Sequence, residues 1–164
     1  MATLLEDIKT QAAWIVQAFH ADGLKLDYSL ESFKEIDRFF DLHVSGGVAK
    51  PKGRLAQNMG PILFSIGSYI GETFVRNIPG AIWVTDDQDP QGEINVEVRL
   101  PDGTVVWPTQ RAIKRFKDES DGIYAYGYLI MTKMATGNYW DDAKAGKLKS
   151  DGIGRSPWWK RLFK

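Results

Sequence analysis

Apolar residues recur at intervals of three and four through the first third of the chain, run almost unbroken through its middle, and then change to strict alternation. Leu5, Ile8, Ala12, Ile15 and Phe19 define one face of an amphipathic helix over residues 3–21, which Gly23 can end in a left-handed conformation. Asp27-Tyr28-Ser29 then supplies an N-cap, and Phe33, Ile36, Phe40 and His43 form a stripe between the acidic residues Glu31, Glu35, Asp37 and Asp41. This second helix is expected to run antiparallel to the first. Residues 44–53 are rich in glycine and base and read as a mobile, solvated connector; the Gly-x-x-x-x-Gly-Lys-Ser/Thr pattern of a phosphate loop is missing.

A third helix starts near Arg54 or after Pro61, with a break or kink at the proline. From 62 to 75 apolar residues occur nearly all round it, so it should be covered on most sides. Gly67 and Gly71 share one of its faces, where missing side chains let a neighbour approach closely, and Glu72 sits just beyond them. The period then becomes two. Strands are expected at 81–85 and 94–100, joined by an exposed tip at 86–92, and at 104–107 after the turn Pro101-Asp102-Gly103. Pro108 opens a short basic helix through Lys117, and Ser120-Asp121 caps a last core helix over 123–135, with Tyr124, Tyr128 and Met131 on one face. The pattern gives an α+β domain over residues 1–137: an N-terminal helical hairpin, a central buried helix, a three-stranded antiparallel meander and C-terminal helices. Residues 138–164 form a polar, glycine-containing tail, partly ordered or packed back on the domain, that ends in Trp158-Trp159-Lys160-Arg161-Leu162-Phe163-Lys164.

Composition narrows the function classes more than it selects one. The 164 residues suffice for a core without metal or disulfide support. Net charge is zero and the pI near 6.7, far from the basic balance of a nucleic-acid binder, so no nucleic-acid partner is expected. Cysteine is absent, which removes disulfides, thiolate nucleophiles and thiolate metal sites. Glu6 and Asp7 stand where a secretory signal needs base, and a cytoplasmic protein is expected. The uncharged run 55–71 contains Gln57, Asn58 and Pro61 and is shorter than the roughly 20 apolar residues of a spanning helix, so it reads as core and no transmembrane segment is expected.

Taken together, Leu26-Asp27-Tyr28-Ser29-Leu30-Glu31-Ser32, Gly67-Ser68-Tyr69-Ile70-Gly71-Glu72, Trp83 shortly after Gly80, and Leu100-Pro101-Asp102-Gly103 resemble an uncharacterised family of small bacterial proteins, a domain-of-unknown-function family. The resemblance covers most of residues 1–130. It implies a compact α+β domain with relatives near toxin and immunity genes, and it carries over no catalytic residue.

Candidate chemistry is sparse. His20 and His43 are the two histidines, placed at the ends of the first two helices, and make a poor metal ligand set. Glu72 is either a buried acid with a raised pKa or, four residues before Arg76, half of a helix ion pair. Asp27 and Ser29 are accounted for by capping rather than by a hydrolytic trio with His43. Trp83 and Trp107, on strands flanking the central one, are either core or an aromatic contact surface. The acidic stretch Asp86 to Asp89 lacks the ligand spacing of a calcium loop. Trp158 and Trp159 with their basic neighbours suit a docking peptide, a fold-back tail or weak peripheral membrane contact. No catalytic residue, cofactor or metal is assigned. The leading expectation is a protein-binding domain of the immunity or adaptor kind with a protein partner. The alternatives are a small-ligand binder or enzyme with a cleft near Tyr69, Glu72, Trp83 and Trp107, and membrane association through the tail.

Overall fold

The computed structural model describes residues 2–136. The sequence period is visible in the order of elements: α1 (Leu4–Ala21), a 3₁₀ turn (Leu30–Ser32), α2 (Phe33–His43), β1 (Val44–Ser45), β2 (Val48–Ala49), a second 3₁₀ turn (Arg54–Ala56) and α3 (Met59–Asn77). After these come β3 (Ile82–Val84), the single turn α4 (Gly92–Asn95), β4 (Glu97–Arg99), β5 (Val105–Val106), α5 (Pro108–Lys117) and α6 (Ile123–Thr136). This is an α+β architecture. Strands β3, β4 and β5 form an antiparallel meander in that order, with Trp83 opposite Val98 and Val98 opposite Val106.

Helix α3 is the axis of the molecule. Every residue from Ile62 to Phe74 is buried, because α1 runs along one side, α5 along another, and the meander lies against it. The two glycines set these distances. A Cβ at Gly67 would lie 2.6 Å from the Thr109 Cα of α5, and a Cβ at Gly71 would enter the indole of Trp83. Backbone thus meets α3 at one glycine and an aromatic ring at the other. The two N-terminal helices meet where Phe19 stacks on Phe39, with ring centroids 4.7 Å apart. Beyond that contact, α1 packs on α3 and α2 packs on α6.

Several local expectations are corrected. Pro61 neither breaks nor delays α3; as the third residue of the helix it occupies the first turn, where its missing N–H has no carbonyl to seek, and Ile62 N already donates to Asn58 O. Residues 44–49 form a tight hairpin, with Gly46 and Gly47 both at positive φ (+59° and +76°) in its two-residue turn. Ile94 and Asn95 belong to a helical turn instead of a strand: Asp89 accepts from Gln91 N and Asn95 Nδ2, closing a local coil that outcompetes the alternating pattern. Trp107 follows β5 and caps α5. Helix α6 is capped not by Ser120-Asp121 but by Asp37 of α2, whose two carboxylate oxygens accept from Ile123 N and Tyr124 N at 2.9 Å. Its buried face carries Ile123, Tyr126, Leu129, Ile130 and Lys133, while Tyr128 is exposed.

Candidate functional site

The residues singled out in the sequence fall into two places. Glu72, on α3, is 4% exposed. Its Oε1 accepts from Trp83 Nε1 at 2.8 Å and lies 3.5 Å from Lys9 Nζ, and its Oε2 lies 3.4 Å from Arg76 Nε. The carboxylate is therefore both buried and paired, and it locks the Trp83 ring over Gly71. Tyr69, one turn earlier, is fully buried, and its hydroxyl accepts from Tyr28 N (2.7 Å) and contacts Ser32 Oγ (2.6 Å). Burial raises its pKa.

Those bonds serve a strained residue. Tyr28 holds φ +61°, a left-handed conformation uncommon outside glycine. Its amide bonds Tyr69, its carbonyl accepts from Asn77 Nδ2 (2.8 Å), and its ring lies beneath the Arg76 guanidinium at 3.6 Å. Tyr69, Glu72 and Trp83 thus work as one structural tie between α3, the 28–32 turn and β3. Trp107 does not join them: it stands half-exposed at the start of α5, with its carbonyl accepting from Arg111 N. Trp158 and Trp159 lie outside the described residues.

A concavity lies elsewhere among the described residues. A groove of about 710 Å³ opens between α1, the end of α2 and the start of α3. Helix α1 supplies Gln11, Trp14, Ile15 and Ala18; Phe19 and Phe39 contribute to its apolar lining; His43 closes one end, and Pro51, Lys52, Gly53 and Arg54 form a rim. Gln57, Asn58, Pro61 and Ile62 complete the opposite wall. Trp14 is 48% exposed, a large aromatic surface left beside the groove.

Polar groups around the groove are held by specific bonds. Arg54 Nη2 and Nε donate to the two carboxylate oxygens of Asp22 at 2.6 and 3.1 Å, which raises the Arg54 pKa and ties the rim to the end of α1. His43 Nδ1 accepts from Arg54 N at 3.1 Å while its ring lies 4.5 Å from that of Phe39. Burial lowers the His43 pKa, with Arg54 and Lys50 acting in the same sense and Asp22 against it. Gln11 Oε1 accepts from Ser65 Oγ at 2.7 Å.

Comparison with family models, curated proteins and solved structures finds no match. The reading of this surface therefore rests on its own geometry. Among the described residues no group of three or more histidine and carboxylate side chains is placed to hold a metal ion, and no helix is long and apolar enough to cross a membrane.

The sequence reasoning passed over Trp14 and Asp22. A signal for Trp14 was present: it stands off the stripe of Ile8, Ala12, Ile15 and Phe19, so an isolated helix pattern already leaves a tryptophan facing water. Nothing local marks Asp22 and Arg54 as partners across 32 residues.

Proposed function

We propose that this protein is a protein-binding domain of the immunity or adaptor kind, and that it takes an extended segment of its partner into the groove beside Trp14. The observation that carries the reading is the half-exposed indole of Trp14 beside a 710 Å³ groove partly lined by Phe19 and Phe39. Tryptophan is among the residues enriched where binding energy concentrates at protein interfaces. The polar groups nearby favour recognition over chemistry. His43 has its Nδ1 lone pair committed to a backbone amide, and Asp22 is committed to Arg54.

The groove also has the volume of a small-molecule site, for which about 300–1,000 Å³ is ordinary. A small-ligand binder is accordingly the second reading, with the cleft at Trp14 rather than at Trp83. Affinity capture from a native lysate separates the two when the intact chain is compared with Trp14→Ala and Trp107→Ala. A stoichiometric protein lost with the first variant and retained with the second supports the groove as the protein contact. Equal capture by both variants places the contact elsewhere, and no capture by any of the three favours the small-ligand reading.

A further inference from the structure

One rim of the groove is fastened by a hydrogen bond that a single proton can remove. The imidazole of His43 lies between the Phe39 ring and the backbone of residues 53–54, with Nδ1 accepting from Arg54 N. The packing on the rim is tight: a Cβ at Gly53 would stand 3.0 Å from His43 Nδ1. A donor aimed at Nδ1 fixes the neutral tautomer, with the proton on Nε2. Once Nδ1 is protonated, two N–H groups face each other across 3.1 Å and the bond is lost.

We propose that His43 is a pH-sensitive latch on the groove: its neutral ring holds the backbone of residues 53–54 against the end of α2, and its protonation releases that backbone while the Arg54 side chain stays tied to Asp22. Leu55, fully buried, keeps the far end of the segment anchored, so the movement is local. This inference rests on the groove being the binding site only for its biological meaning; the latch itself is a property of the chain alone.

Asp22, Arg54 and Lys50 are the charged groups that act on the ring. Asp22, at the end of α1, favours the imidazolium, but its carboxylate is shared with the Arg54 guanidinium. Arg54 on the rim and Lys50 at the end of the β1–β2 hairpin oppose it, and Lys50 Nζ is directed to Asp41 O at 3.2 Å. Burial opposes it most strongly. The sign follows from linkage. With the closed-state pKa below the ordinary 6.5, the closed rim is fully favoured above that ordinary value and weakens as pH falls through the closed-state pKa.

The test is the protection factor of the Arg54 amide, measured by NMR hydrogen exchange on the full chain without any partner, alongside the His43 ring resonances. As pH falls below about 6.5 the factor should drop along the His43 titration, by about tenfold for each unit that the closed-state midpoint lies below the ordinary 6.5. The Leu100 amide, bonded to Thr104 O far along the chain, serves as the flat control. In His43→Asn, whose side-chain oxygen can accept at the Nδ1 position without titrating, the Arg54 factor should become independent of pH. In His43→Phe, which keeps the ring and removes the acceptor, it should be low throughout. An Arg54 factor that stays constant while His43 titrates, or a His43 that does not titrate in this range, overturns the latch. Either result leaves the Trp14 capture experiment untouched, so failure of the latch and failure of the binding reading are told apart.

Discussion

Gly71 shows how much of this fold depends on one missing methyl group. An alanine would add about 1 kcal/mol of helix propensity at this interior position. Its Cβ would enter the Trp83 indole, which Glu72 holds by its Nε1–H and which β3 cannot release without breaking its pairing to β4. Overpacking of this kind costs about 1–3 kcal/mol, so Gly71→Ala should be net destabilised despite the better helix former. Urea unfolding checks this, and Gly71→Ala should cost less in a Trp83→Leu background than in the native chain; an equal cost in both backgrounds would mean that something other than the indole resists the added methyl. Gly67 and Gly71 were legible in the sequence as a close-approach face, whereas the identity of what approaches was not. A helix pattern records which side is small, and only the chain returning from 83 and 109 determines that a ring meets one glycine and backbone meets the other.

At the same scale, Lys133 of α6 is 1% exposed, and burial pulls its pKa down to about 7 against the opposing influence of Asp102. Between that value and the ordinary 10.5 the unfolded chain binds a proton that the folded chain has released, so stability should rise with pH across this window. The urea midpoint is expected to increase from about pH 7 to pH 9 in the native chain and to flatten in Lys133→Met. An unchanged slope in the variant would assign the pH dependence to another group.

Among the elements, α2, α5 and α6 are joined at one carboxylate. Asp37 accepts from both leading amides of α6 and from Arg115 Nε at 3.0 Å, and Arg115 Nη2 reaches on to Asp41 at 2.8 Å. The Arg115 side chain is 4% exposed, so removing Asp37 leaves a buried cation with only the exposed Asp41 carboxylate and strips the two leading amides of α6 of their acceptor. Asp37→Ala should therefore cost about 3–5 kcal/mol, well above the roughly 1 kcal/mol of an ordinary cap. Asp41→Ala, which removes the exposed carboxylate of the pair, should cost under about 1 kcal/mol. Chemical denaturation of the two variants measures the difference, and equal losses would refute the hub. The sequence placed Asp37 on the polar side of α2 and assigned the α6 cap to Ser120-Asp121. Helices and strands with a clear period were readable because burial imposes that period. A cap reaching 86 residues along the chain leaves no local trace, and Ser120 is instead folded onto its own neighbour Asp118.

For the whole molecule, the consequence of this packing is a division of labour between its two aromatic regions. Tyr69, Glu72 and Trp83, the residues most conspicuous in the sequence, are spent on holding α3 to its surroundings, and the surface we propose for recognition lies beside Trp14. The helical part of that surface was visible as a tryptophan off the apolar stripe. Its rim at 51–53 was read as part of a solvated connector, because the hairpin at 44–49 and the bonds from Arg54 to Asp22 and His43 form only when the chain is folded. Trp14→Ala removes half-exposed surface and should change stability by less than about 0.5 kcal/mol while abolishing partner capture. Site-specific photo-crosslinking in the native cell addresses the proposal most directly. A photoreactive side chain at Gln57, on the groove wall, should give a discrete adduct with a protein partner, while the same group at the exposed Ile82 of β3 should give none. Adducts from position 82 with none from position 57 would contradict the assignment of the groove as the binding site.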